Sequence, residues 1–216
     1  MRATRSINRE SALTLLEVVL VFFSLAIMAL VLLPALSAPR VRSAIGCVNQ
    51  LKHLGLAFRV WEGDHGDKYP TAVSTTNGLG VAENTFQTVS NELGNTRVLV
   101  CPADRHRLPA ASFRTLTTKN LSYFYKLDAS ESNPQDILLG DDNLTIRGVR
   151  VKSGVLVLSN WDTISWSADR HRSHGNLALA DGSVQSATRS GLHAYLGNAT
   201  NAPPATNAAL VRLAIP

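Results

Sequence analysis

The stretch Leu13-Thr-Leu-Leu-Glu-Val-Val-Leu-Val-Phe-Phe-Ser-Leu-Ala-Ile-Met-Ala-Leu-Val-Leu-Leu-Pro34 is apolar almost from end to end and carries one charged side chain, Glu17. At about 1.5 Å of rise per residue a helix over these positions is roughly 32 Å long, close to the hydrocarbon thickness of a bilayer. The stretch reads as a membrane-spanning helix. A carboxylate at mid-membrane costs on the order of 3 kcal/mol, so Glu17 needs either a route to the headgroups or a cation to face. It lies about 6 Å along the axis from Leu13, close enough to the start of the run to snorkel.

Ahead of the run stand Arg2, Arg5 and Arg9, which keep that end in the cytoplasm and send the rest of the chain across. A conventional secretory signal competes with this reading, and Ala35-Leu36-Ser37 supplies small residues for its cleavage. The apolar core of such a signal is only about 7–15 residues, however, and this one is longer and contains Glu17. With 216 residues the chain has room for one globular domain beside the membrane segment. Its formal charge of +5 falls to +3 once Arg2, Arg5, Arg9 and Glu10 are set aside. The remaining charges are interspersed, without the basic stripe that phosphate binding requires, so nucleic acid is not an expected partner.

Downstream, Ile45, Val48, Leu51, Leu54, Phe58 and Trp61 recur at three- and four-residue steps and predict a helix over Val41–Trp61 with one apolar face. Pro34 and Pro39 mark a bend between membrane and soluble halves. Gly63-Asp-His-Gly-Asp67 ends the helix. Residues 71–95 are rich in Thr, Ser, Asn and Gly and read as loops with a short helix around Phe86–Leu93. Strands are expected at Val98–Val100, Ser122–Leu127, Ile137–Leu139, Ile146–Val151 and Val155–Ser159, in an antiparallel sheet. Asp181-Gly182, set between alternating apolar runs, predicts a two-residue type I′ hairpin. Beyond it, His193–Leu196 reads as one helical turn, Asn198–Asn207 as a linker and Ala209–Ile215 as a final extended segment. No internal repeat is present.

Ser11-Ala-Leu-Thr-Leu-Leu-Glu17 resembles the processing site of type IV prepilins and type II secretion pseudopilins. Carried over position by position, the resemblance implies a cut between Ala12 and Leu13, N-methylation of Leu13, and assembly roles for Glu17 and Pro34. Ala12 and Leu13 replace the family's usual Gly and Phe. His171, separated by nine residues from Asp181-Gly182, resembles the H-X9-DG signature of a bacterial group of prepilin-like proteins. Cys47–Arg59, Asp64–Pro70 and Leu99–Asp104 are similar to the same group.

Among residues that could carry chemistry, His171, His174 and Asp181 form a permissible Zn²⁺ set. An extended path from His174 to Asp181 nevertheless spans about 23 Å, which favours structural roles at turns and strand ends. Asp141-Asp142-Asn143 offers hard oxygen ligands suited to Ca²⁺, which some major pseudopilins bind, and is equally ordinary turn chemistry. Cys47 and Cys101 are the only cysteines. In an oxidising compartment a bridge between them is expected, the alternative being two buried thiols. No nucleophile elbow and no H-E-x-x-H helix is present, and no catalytic residue is assigned.

These readings converge on an α+β, pilin-like protein. Its expected organisation is a cleaved leader over 1–12, a transmembrane helix over 13–36 and a periplasmic or extracellular domain over 37–216. The helix continues over about 41–62, the sheet covers about 97–188 and a C-terminal extension covers 190–216. The expected function is a structural, non-enzymatic subunit of a type II secretion pseudopilus or type IV pilus-like filament in the bacterial inner membrane. Its expected partners are the prepilin peptidase, other pilin-like subunits, the inner-membrane assembly platform and the bilayer. The alternative is a membrane-tethered binding module or enzyme that shares only the anchor.

Overall fold

The computed structural model describes residues 15–36, 39–70, 81–158, 163–199 and 210–216. Ala12 and Leu13, the expected cleavage and methylation positions, lie outside them, as do Ser159 and most of the expected linker. The chain divides into two units, Met1–Pro39 and Arg40–Pro216. In the first, helix α1 covers Leu15–Leu36, with Glu17 in its first turn and Pro34 within its last. Its Leu15–Leu32 span is long and apolar enough to cross a membrane, and none of it is buried. Apolar surface left in water is disfavoured by roughly 25 cal/mol per Å², so this helix calls for a lipid or protein partner.

The second unit is α+β. Helix α2, Pro39–Asp64, opens on a proline, whose missing N–H is harmless at the first helical position. It stops where Gly66 and Asp67 take positive φ. Short helices α3 (Val81–Thr88) and α4 (Ser90–Leu93) follow. The strands are β1 (Tyr123–Lys126), β2 (Ile137–Asp141), β3 (Leu144–Ile146), β4 (Val149–Arg150), β5 (Gly154–Leu158), β6 (Ile164–Trp166), β7 (Gly175–Leu179), β8 (Val184–Ala187) and β9 (Val211–Ile215). Helix α5, Arg189–Ala199, lies between the last two.

Six strands form one antiparallel sheet in the order β5-β9-β1-β2-β7-β8, and β4-β3-β6 form a small second sheet. Side chains alternate across the large sheet and feed two cores. Tyr123, Tyr125, Leu138, Ala178 and Ala214 meet Cys47, Leu51, Leu54, Ala57 and Phe58 of α2 on one face. On the other, Phe124, Ile137, Leu177, Leu179 and Leu213 meet Trp166 of the small sheet and Leu192 and Leu196 of α5. With both faces covered, β1, β2 and β7 are buried throughout.

Several expectations are corrected. Ile45 is exposed, and Cys47 and Ala57 complete the buried face of α2 in its place. Val98–Val100 is no strand: Thr96–Leu99 is a 3₁₀ turn, because the Asn95 side chain accepts from Arg97 N at 2.9 Å and starts a local turn. Ile146–Val151 is not one strand either. It folds back on itself at Arg147-Gly148, both at positive φ, which pairs Ile146 with Val149 in a two-residue hairpin. His193–Leu196 belongs to an eleven-residue helix, since Leu192 and Leu196, four apart, share a buried face. The expected final extended segment is strand β9, but the sheet does not end near 188, because β9 is inserted between β5 and β1.

Candidate functional site

The signature His171 to Gly182 brackets strand β7, and its two ends are built differently. After β6 the chain reverses through Ser167–His174. His171, Arg172 and Ser173 take φ of 50°, 55° and 62° in succession. Non-glycine residues in this left-handed region cost about 1–2 kcal/mol each. The turn ends at Gly175, where a Cβ would run into the indole of Trp166.

Packing on either side of the strained turn offsets its cost. Arg170, 4% exposed, bonds Asp142 through Nη2 and places Nη1 3.4 Å from Asp104 and 3.3 Å from the Ser122 carbonyl. Arg107 reaches the same two carboxylates, at 2.6 Å from Asp142 and 3.3 Å from Asp104. Ser122 Oγ donates to Asp104 at 2.9 Å. Burial alone would raise the Asp104 carboxyl. Arg170, the His106 amide, Ser122 and Arg107 outweigh it and hold the group below its ordinary value. Burial would likewise lower Arg170, but Asp142, Asp141 and Asp104 raise it instead.

His171 packs beside this cluster. Its Nε2 lies 3.3 Å from Cys101 Sγ and 3.5 Å from Asp141 Oδ2. Cys101 is joined to Cys47 of α2 by a disulfide, with Cα atoms 5.2 Å apart. Asp141 is wholly buried, and its Oδ2 accepts from the backbone N and from Nδ2 of Asn176, each at 2.8 Å. Burial raises its carboxyl above the ordinary value against the pull of Arg170, His171 and Asn176.

At the other end, Asp181 and Gly182 form the tip of the β7–β8 hairpin, but the turn is not type I′. Gly182 N bonds the Leu179 carbonyl and Leu179 N bonds the Ser183 carbonyl, both at 2.9 Å, and of the two tip residues only Gly182 has positive φ, 84°. This is a three-residue loop, a type I turn closed by a left-handed glycine. Asp181 Oδ1 accepts from Ser183 N at 2.8 Å. Tyr69 Oη and Arg59 Nη1 both donate to the Ala180 carbonyl, at 3.0 and 3.2 Å.

His171, His174 and Asp181 therefore do not converge. His174 is exposed, with Nδ1 on its neighbour Arg172, and Asp181 lies beyond the far end of β7. The triplet Asp141-Asp142-Asn143 lies where β2 passes into β3. It is a buried link between β2 and β3 and not an open turn, with Asp142 held by arginines and Asn143 Nδ2 donating to the His174 carbonyl at 3.1 Å. Sequence reasoning overlooked Arg170, Arg107, Asp104 and Asn176. Asp104 closes the Leu99–Asp104 segment and Arg170 directly precedes His171, yet their pairing joins residues far apart in the chain. No family model, no curated protein and no solved structure matches this chain.

Proposed function

We propose that the chain is a pilin-like structural subunit, anchored by α1 and assembling into a pseudopilus or type IV pilus-like filament at the bacterial inner membrane. The observation that carries this reading is α1 itself, an apolar helix with no buried residue from Leu15 to Leu32 and a carboxylate in its first turn. A lone anchor needs no charge there, whereas a bundle of such helices gains a register from one. Cleavage before Leu13 creates a new α-amine near Glu17, and in a staggered bundle the amine of one subunit meets the Glu17 of another. Helix α2 packed on an antiparallel sheet supplies the outward domain, and the disulfide suits an oxidising compartment. Assembly, not catalysis, is the proposed activity.

Glu17→Val tests the proposal. Membrane insertion of the variant is expected to be intact or improved, and its yield in sheared filaments lowered at least about tenfold, the loss of one ion pair worth about 1.4 kcal/mol. Undiminished filament yield would refute it, and so would recovery of wild-type protein from membranes only as monomer with Met1 intact. Those outcomes point to a tethered module.

A further inference from the structure

Beside the charge cluster, four side chains from four separate segments meet. One ligand atom from each of Cys47, Cys101, Asp141 and His171 lies within 4.8 Å of all the others. We propose that these four residues form a zinc-binding site that opens when the Cys47–Cys101 disulfide is reduced. This does not depend on the filament reading, because all four belong to the unit Arg40–Pro216.

The donor set, two thiolates, one imidazole and one carboxylate, draws on the three ligand types that zinc takes and supplies the four ligands of a tetrahedral site. The geometry fits too. Zn–S bonds of ~2.3 Å and Zn–N and Zn–O bonds of ~2.0–2.1 Å at tetrahedral angles separate S from N by ~3.5 Å and N from O by ~3.4 Å. His171 Nε2 already stands 3.3 Å from Cys101 Sγ and 3.5 Å from Asp141 Oδ2. A single ring nitrogen thus faces both the sulfur and the carboxylate, as ligands around one ion do. In a nucleophile–base–orienter relay the two partners would use opposite ring nitrogens.

The carboxylate is also oriented for this role. Asp141 Oδ2, the oxygen that faces His171 Nε2, accepts the paired bonds from Asn176, the kind of outer contact that orients a ligating carboxylate. Its Oδ1 is buried without a hydrogen-bond partner, so the carboxyl retains unused acceptor capacity. Entry is from the His171 edge, since both cysteines and Asp141 are fully buried.

The chemistry balances. A dithiol reductant passes two electrons and two protons to the Cys47–Cys101 bond, which breaks into two thiols as the reductant leaves as its own disulfide. Zn²⁺ then displaces both thiol protons to solvent. Side-chain rotation has only to open the sulfurs to the ~3.8 Å that a tetrahedral ion requires.

The test uses the full chain in detergent, reduced anaerobically with a phosphine that leaves no competing thiol, and titrated with Zn²⁺ against a chromogenic chelator and with Co²⁺ by absorption. The expected result is one ion per reduced chain, thiolate-to-cobalt charge transfer, and no uptake by the oxidised chain. His171→Ala and Asp141→Asn should each weaken Zn²⁺ at least about tenfold. Circular dichroism of both variants in the oxidised state establishes that they fold. If reduction unfolds the chain, Zn²⁺ is expected to restore the oxidised spectrum. The proposal is overturned if the reduced chain takes up no metal, if Zn²⁺ fails to restore an unfolded reduced chain, or if the folded variants bind as tightly as the parent.

Discussion

At its Gly182 end β7 reverses within three residues, whereas at its Gly175 end the chain reaches the strand only with help from Asp104, Arg107, Ser122 and Asp142. The first end needs one left-handed glycine, which bears that conformation without steric cost. Three consecutive non-glycine residues adopt the same region at the second. Local turn chemistry makes a reversal that tolerates change around it. A reversal against local preference has to be held by buried charge pairs, and it concentrates chemistry-bearing side chains where it is held.

If this contrast is right, the largest loss follows from breaking the charged end. Asp142→Ala removes one of the two carboxylates that Arg170 and Arg107 share in a buried setting, leaving Asp104 alone to face both, and should cost about 3 kcal/mol in urea unfolding of the oxidised chain. A loss below about 1 kcal/mol would mean that the strained turn stands on its own.

A smaller effect is expected at the hairpin tip. Gly182→Val places a β-branched side chain at φ 84°, at a cost of about 1–2 kcal/mol or somewhat more. A Cβ there meets only the flexible Arg59 side chain, at 3.5 Å, so strain and not collision sets the magnitude. Equal losses at the two positions would erase the distinction between the ends.

The smallest change at neutral pH is expected for Asp104→Asn, which removes the charge, keeps one acceptor oxygen where Oδ1 takes the His106 amide, and replaces Oδ2 with an amide nitrogen toward which the Ser122 hydroxyl can turn as acceptor. The Asp104 carboxyl lies below its ordinary value of 3.8 in the fold, so its contribution is present above that value and is lost as pH falls through the folded value. Asp141 has the opposite sign: raised by burial, it favours the fold while protonated and loses that contribution as pH rises through its folded value. The stability gap between parent and Asp104→Asn should therefore close as pH falls below about 3.8. A gap of constant size across that range in acid unfolding would show that the Asp104 charge does not stabilise the fold.

Much of the architecture was legible from the chain, and the unequal success has a common cause. The periodicity that predicts α2 works because α2 presents one face to one core, and Ile45 and Val48 depart from it, near the start of the helix. The hairpin tip was readable in position because Asp-Gly acts over four residues, but its type was not. Whether two or three residues make the loop depends on the register of β7 and β8, which pairs Ala178 with Val184. Gly148 carried the two-residue turn instead, and Arg147 beside it gave no composition signal.

The sequence by itself determined what acts over one or two helical turns: the apolar run of α1 with its single carboxylate, most of the buried stripe of α2 and the place where β7 reverses into β8. Tertiary structure alone decided that β9 enters the middle of the sheet, that Arg170 is buried against Asp104 and Asp142, and that Cys101, His171 and Asp141 share one small volume. The physical reason is separation along the chain. Local propensity is summed over neighbours, but a buried charge is tolerated only where its counter-charge comes within hydrogen-bond reach, and no short window of sequence contains Arg170 together with Asp104 and Asp142.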